Sequence, residues 1–302
     1  MANKIALQCA WGEYFGSGHI QRMGSLLRYL LMEKGIQAKL VTSPAPPFSL
    51  DEMRNHVSSA IEPGTELIIR DMRDSTVQEI EALKKIAPVI VIDDCGEGRN
   101  AADLAVDLLP NLAHPRTHET IKEAPFLYGF NFTKSINDLP HKDFTKDIDF
   151  CIYAGFDATQ EYRMFLTGLI PDDASAVILD GKESKLIYHG KTFETDMIYP
   201  FPMLFGKSLI SHFGITLFEG NLCGCRIFTI NPTDYHSQLA DNAAGLLGLT
   251  NFGVYPRVDD IRIKNSLKEA ASVPKRNINF KELQGQIAHN TDLFFDIIKP
   301  YL

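Results

Sequence analysis

Short runs of β-branched and other apolar residues alternate with segments of helical apolar spacing almost from end to end of this chain. That alternation permits few folds. It predicts a parallel sheet wrapped by helices, because consecutive parallel strands need a crossover between them. In the first half, strands are predicted over 5–10, 39–42, 66–70, 89–92, 104–108 and 125–128, and helices over 20–33, 51–60 and 76–86. Ile20, Met23, Leu26, Leu27, Leu30 and Leu31 define the first helix, and Gly35 ends it. In the second half, strands are predicted over 148–153, 176–179, 186–189, 209–211 and 227–230. Helices are predicted there over 159–169, 201–207, 216–222, 237–247, 259–271 and 280–298. The polar segment 134–147 reads as a linker. Two Rossmann-like domains are therefore expected, 1–140 and 148–302, with the last helix a candidate to pack back on the first. A length of 302 residues suits two cores, at about 150 residues per domain.

Composition narrows the function. Hydrophobic residues make up 45% and charged residues 23%, as in an ordinary soluble globular protein. The net charge is −8 with no run of Lys or Arg, which argues against nucleic acid as a partner. A small anion stays possible, since helix N-termini bind phosphate without net positive charge. The five cysteines, Cys9, Cys95, Cys151, Cys223 and Cys225, are odd in number and irregularly spaced. Neither a disulfide framework nor a four-cysteine zinc site is expected. Cys223 and Cys225 read as small buried side chains between a helix and a strand. No stretch approaches the ~20 apolar residues of a membrane span. The N-terminus reads as too polar for a signal peptide, so the expectation is cytoplasmic. No metal and no cofactor are required by the sequence, and it is silent on oligomeric state.

The reactive residue types cluster just after predicted strands, in the loops 12–19, 71–74 and 93–98. The carboxyl ends of the strands in an open parallel sheet share one edge, where ligands bind. Gly16-Ser17-Gly18-His19 joins the first strand to the first helix. An imidazole at a helix N-terminus tends to stay neutral, as a general base must. A structural cap is the equal alternative for His19. In the second half, Gly214 and Thr216 open a helix whose free N–H groups suit a diphosphate. Glu219, one turn further in, is placed to accept from both hydroxyls of a ribose. A capped helix with a surface Glu explains the same residues. The loop 231–238, ending at Gln238, follows the next strand on that edge.

These segments resemble the MurG-like group of GT-B nucleotide-sugar enzymes. The likeness is closer to the UDP-sugar hydrolase of pseudaminic acid biosynthesis and its spore-coat polysaccharide relatives. Gly16-Ser17-Gly18-His19 with Arg22 is similar to the family's Gly-x-Gly-His-x-x-Arg. Val91-Ile92-Asp93-Asp94 and Ala102-Asp103-Leu104-Ala105-Val106-Asp107 look like two further family segments. Gly214-Ile215-Thr216-Leu217-Phe218-Glu219 is similar to the nucleotide-gripping Gly-x-Thr-x-x-Glu, and Gln238 with Asn242-Ala243 to the helix beyond it. The resemblance implies two Rossmann-like domains facing a cleft, nucleotide held mostly by the second and sugar facing the first. It implies that His19 is the base, with Asp71 and Asp94 positioning the sugar or His19. It places Gly16, Ser17, Gly18, Arg22 and Arg73 on the substrate side. It gives Gly214, Thr216, Glu219 and Gln238 to the nucleotide, with Gly155 touching the diphosphate. The expected activity is hydrolysis of a UDP-sugar in surface-glycan or nonulosonic acid biosynthesis. Alternatives are transfer of the sugar to an acceptor, or nucleotide-sugar binding without catalysis. Arg73 stands where the hydrolase has a Tyr, Gly155 is the one glycine left of a Gly-Gly pair, and His212-Phe213 replaces two small residues.

Overall fold

A computed structural model describes residues 4–11, 18–42, 55–108, 121–123, 144–155, 158–180, 183–188, 191–195, 202–274 and 276–302. The chain divides into two compact units: Met1–Asn137 with Ile287–Leu302, and Asp138–Gln286.

Unit one is built on the strands β1 (Lys4–Cys9), β2 (Gln37–Val41), β3 (Val57–Ser58), β4 (Leu67–Asp71), β5 (Val89–Ile92), β6 (Leu104–Asp107) and β7 (Ile121–Glu123). They form one sheet in the order β3-β2-β1-β4-β5-β6-β7. Every pairing is parallel. The order reverses between β1 and β4, which makes that junction the switch point where such sheets bind ligands. Leu67, Ile68, Ile69, Val89, Ile90, Val91 and Ile92 are fully buried, as expected of central strands covered on both faces. The helix α1 (Gly18–Met32) follows β1 and buries Ile20, Met23, Leu26, Leu27 and Leu30. The next helix, α2 (Val77–Lys84), starts at a capping box: Thr76 accepts from the backbone of Glu79, and the Glu79 side chain accepts from the backbone of Thr76.

Two predicted elements differ. In the stretch 51–60, read as a helix, the described residues hold a single 3-10 turn and then β3, paired with β2. β-branched Val57 takes an edge-strand place because pairing with β2 outweighs weak helical spacing. The predicted strand 125–128 lies outside the described residues, and β7 precedes it.

Unit two holds β8 (Phe144–Lys146), β9 (Ile148–Tyr153), α3 (Gln160–Gly168), β10 (Ala176–Asp180), β11 (Glu183–Tyr188), β12 (Lys191–Thr195), α4 (Pro202–Phe205), β13 (Gly206–Ser211), α5 (Ile215–Leu222), β14 (Arg226–Asn231), α6 (Asp234–Leu247), β15 (Thr250–Val254), α7 (Asp260–Ala271) and β16 (Arg276–Ile278). Its main sheet runs β12-β11-β10-β9-β13-β14-β15. The pairings from β10 through β15 are parallel, and β11 and β12 add an antiparallel edge. The order reverses between β9 and β13, a second switch point. Phe150, Ile152, Ile210, Phe228 and Ile230 from these strands meet Leu166, Ile263 and Leu267 from α3 and α7 in one core. Strands β8, β12, β15 and β16 were not anticipated, and β8 lies in the segment read as a linker. β12 is polar, Lys-Thr-Phe-Glu-Thr, and β15 carries Gly253, so neither shows a strong apolar run.

The last helix, α8 (Phe280–Ile298), crosses the boundary, and its final turns count with unit one. There Asp292 accepts from the Tyr29 hydroxyl at 2.6 Å and from Lys34 at 2.8 Å, and Tyr29 meets Phe295 edge-on.

Candidate functional site

A buried charge cluster lies at the switch point of unit one. Asp71 ends β4 directly opposite Cys9, the end of β1. His19 enters from the first turn of α1 and sets Nδ1 2.7 Å from Asp71 Oδ1. One turn along, Arg22 donates from Nε to Asp71 Oδ2 at 2.8 Å and from Nη2 to Asp71 Oδ1 at 2.6 Å. Its Nη1 donates to Asp93 Oδ2 at 2.6 Å. The Arg22 and Asp71 side chains are essentially inaccessible, whereas 18% of the His19 side chain is exposed. Burial works to raise the Asp71 pKa, but the Arg22 guanidinium and then His19 outweigh it and hold the carboxyl down at about 2. Burial opposes the Arg22 charge too, yet Asp71 and Asp93 keep it firmly protonated. Asp71 is thus a fixed carboxylate, so the proton between it and His19 belongs to Nδ1. In the neutral ring the lone pair is then on Nε2, the arrangement of a general base steered by a carboxylate.

Asp93 completes the cluster under strain. Its φ of 48° lies in the left-handed region, which non-glycine residues seldom enter. Three bonds hold it there. Its N–H donates to the Val106 carbonyl, its Oδ1 accepts from Leu108 N, and its Oδ2 accepts from Arg22. Such strain persists where the surroundings over-determine it, commonly at functional sites.

In unit two the second switch point carries a different set. Gly155 follows β9, and His212 and Gly214 follow β13, whose Ser211 lies beside Tyr153. Gly155 has φ +109°, and a β-carbon there would meet His212 Cε1 at 2.6 Å. The His212 ring stacks toward Tyr153 and meets His236 edge-on, at centroid distances of 6.4 and 5.9 Å. Burial, and then His236, pull the His212 pKa down to about 4, against the Ala154 carbonyl. His236 sits in the first turn of α6, with Nδ1 2.7 Å from the hydroxyl of the capping Thr233. Asn231 Oδ1 accepts from Phe213 N and so fixes the turn into α5. Within α5, Glu219 is 3% exposed. Its Oε2 has no hydrogen-bond partner among the described residues. Burial raises its pKa to about 8.

The structure assembles some of the expected residues and separates others. His19, Asp71 and Arg22 come together. Arg22 was expected on the substrate side; in the fold its Nε, Nη1 and Nη2 donate to Asp71 and Asp93. Asp94 was expected to position the sugar or His19. Its carboxylate is buried and accepts from Ser75 N at 3.0 Å and Gly96 N at 2.8 Å, tying two loops together. Adjacent Asp93 takes the place beside Arg22. The sequence pointed to Asp94 rather than Asp93; in the fold it is Asp93, with its left-handed backbone, that reaches Arg22. Arg73 is half-buried in the loop after β4, where its carbonyl accepts from Cys95 N. Gly18 opens α1, whereas Gly16 and Ser17 lie outside the described residues. Gly155 follows β9, Gly214 and Thr216 lie at the turn from β13 into α5, Glu219 lies one turn further along that helix, and Gln238 is exposed on α6. The His212–His236 pair was not anticipated as a pair. Residue spacing gives no hint that two loops twenty-odd residues apart place their rings together. Among the described residues, no group of three or more His, Cys, Asp or Glu could hold a metal ion. No helix among them is long and apolar enough to cross a membrane.

Both units have the Rossmann-like plan of GT-B enzymes, and comparison with solved structures agrees. The kitacinnamycin glycotransferase superposes with a TM-score of 0.57 at 12% identity, covering 100% of this chain and 99% of that one. The spinosyn forosaminyltransferase SpnP gives 0.57 at 10%, covering 100% of both chains. The UDP co-structure of MnaA from S. aureus gives 0.58 at 11%, covering 99% and 96%. At such identities the likeness establishes the fold: α/β, GT-B-like, with two Rossmann-like parallel-sheet units. No protein-family model and no curated relative matches the sequence.

Proposed function

We propose that this chain is a glycosyl-transfer enzyme of the GT-B kind, taking its sugar from a nucleotide-sugar donor such as a UDP-sugar. The observation that carries the reading is the His19–Asp71 pair at the switch point of unit one, with Asp71 locked as an anion by Arg22. In the reaction, His19 Nε2 takes the proton of an acceptor hydroxyl as its oxygen attacks the anomeric carbon. The bond from that carbon to the diphosphate oxygen breaks, and the electron pair leaves with the nucleoside diphosphate. Asp71 stabilises the imidazolium that forms. In unit two, the N–H groups at Gly214 and Thr216 and the bare backbone of Gly155 suit the diphosphate, and Glu219 suits a ribose. Gln238 would contact the nucleotide from α6, and Arg73 with the 16–18 loop the sugar.

Transfer is preferred to the hydrolysis that the sequence suggested, because the structures of like fold include named glycosyltransferases. With water as nucleophile the same dyad hydrolyses the donor, and acceptor dependence separates the two. A panel of UDP-sugars is assayed for UDP release with and without sugar and lipid-like acceptors. Release stimulated by an acceptor supports transfer, and release at full rate without one supports hydrolysis. His19→Ala is expected to lower turnover by about 10²–10⁴-fold. Unchanged turnover in that variant defeats the base assignment. A thermal shift with UDP but no turnover of any donor favours a binding protein.

A further inference from the structure

Away from both switch points, unit two buries an amine against a thiol. Lys146, the last residue of β8, is 0% exposed. Its Nζ donates to the Met203 carbonyl at 3.0 Å, to the Gly206 carbonyl, and to Cys225 Sγ at 3.4 Å. No carboxylate pairs with it among the described residues. Three N–H donors therefore meet three acceptors, of which only sulfur can take on negative charge. Cys225 is 6% exposed just before β14, with Sγ 3.3 Å from the Met203 carbonyl and 3.4 Å from that of Gly206. A buried ammonium is costly without a counter-charge. An N–H aimed at sulfur stabilises charge building there and makes the sulfur the better nucleophile.

We propose that Lys146 and Cys225 form a redox modification site, in which hydrogen peroxide drives closure of a covalent S–N bond between them. The Cys225 sulfur attacks one peroxide oxygen and the O–O bond breaks. This gives a sulfenic acid and one water, with sulfur oxidised by two electrons and peroxide reduced. The Lys146 ammonium loses one proton to water, and its nitrogen lone pair then attacks sulfur; the S–O bond breaks, and the departing hydroxide leaves as water with a second proton from that nitrogen. The net reaction consumes one thiol, one ammonium and one peroxide and yields the S–N link, two waters and one proton. Condensation of a sulfenic acid with a nearby nitrogen is established cysteine chemistry. The depth of the site admits only a small neutral oxidant. Cys151 and Cys223 lie close by, but burial pushes both thiols well up, which keeps them protonated and slow to compete. Closure draws Nζ off the Met203 and Gly206 carbonyls, the second of which belongs to the first residue of β13. The oxidation state is thus coupled to the strand that leads to His212.

The test is peptide mass mapping of the full chain after treatment with hydrogen peroxide and alkylation of remaining thiols. The expected product joins the Lys146 and Cys225 peptides, is lighter by two hydrogens than their sum, and resists tryptic cleavage at Lys146. Dithiothreitol should restore both peptides. Cys223→Ala should keep the link, and Cys225→Ser should lose it. A disulfide from Cys225 to Cys223 or Cys151, a sulfinic acid without a link, or a Cys225 still alkylated after treatment overturns the proposal. None of these outcomes depends on a nucleotide-sugar activity.

Discussion

Asp71 and Arg22 show what one buried ion pair asks of its neighbours. Removing Arg22 leaves two carboxylates facing each other without a cation. Arg22→Met should destabilise unit one by about 3–5 kcal/mol. Trp11 is the single tryptophan and lies in unit one, so urea denaturation followed by its fluorescence reads that unit. Arg22→Lys should fall between the two, because an ammonium keeps the charge but not the two-pronged contact. A loss under 1 kcal/mol in Arg22→Met would mean that solvent reaches the pair. The pH dependence has a definite sign. The Asp71 pKa is held at about 2, below its unfolded value, so its stabilisation is fully present above the ordinary carboxylate range. It is lost as pH falls through that range toward 2, and Arg22→Met should flatten this acid limb. Gly155 makes a separate demand. Gly155→Ala puts a β-carbon 2.6 Å from His212 Cε1 in a backbone conformation that L-residues avoid, at a cost of about 1–3 kcal/mol. The variant should melt at lower temperature and, if the proposed diphosphate contact holds, show a smaller thermal shift with UDP. An unchanged melting temperature would mean that the loop relaxes freely.

At the scale of elements, the loop that ends in Asp93 and Asp94 matters more than any one helix. Asp94 joins the turn before α2 to the turn after β5 through two backbone N–H groups. Gly96 lies where a β-carbon would run into the backbone of Ser75. Arg99 donates to the Asp94 carbonyl at 3.0 Å and to Asp107 at 2.7 Å. These contacts hold the backbone of Asp93 in its strained form, and through it one end of Arg22. The helix α1 contributes the rest by presenting His19 and Arg22 one turn apart on the same face. Neighbours three apart in sequence therefore share a single carboxylate from a strand forty-nine residues away.

For the whole molecule, two sheets reverse their strand order, and the reactive residues gather at each reversal. Stability of the whole should also depend on pH in the opposite sense through Glu219. Its folded pKa is raised to about 8 from an ordinary 4.5, so the folded state holds this proton more tightly than the unfolded one. Its contribution is greatest below pH ~4.5 and shrinks as pH rises toward ~8, by on the order of a few kcal/mol. Glu219→Gln should remove that slope, be more stable than the parent at pH 8, and bind UDP more weakly if the ribose assignment holds. Calorimetry from pH 5 to 8 checks this, since unit two has no tryptophan to report on it. Parallel slopes for parent and variant would mean that Glu219 is already charged in the fold. The sequence by itself determined the alternation of strand and helix, hence two parallel-sheet units and the edge at which reactive residues collect. Apolar periodicity and glycine placement are local, and they are written in the order of the residues. It missed β8, β12, β15 and β16, which owe their strand form to the partners they pair with rather than to their own composition. It pointed to Asp94 rather than Asp93, and it did not foresee Arg22 turned inward or His212 set against His236. Those outcomes depend on which loops the folded sheet brings within hydrogen-bonding reach, and on buried charge having to find a partner there.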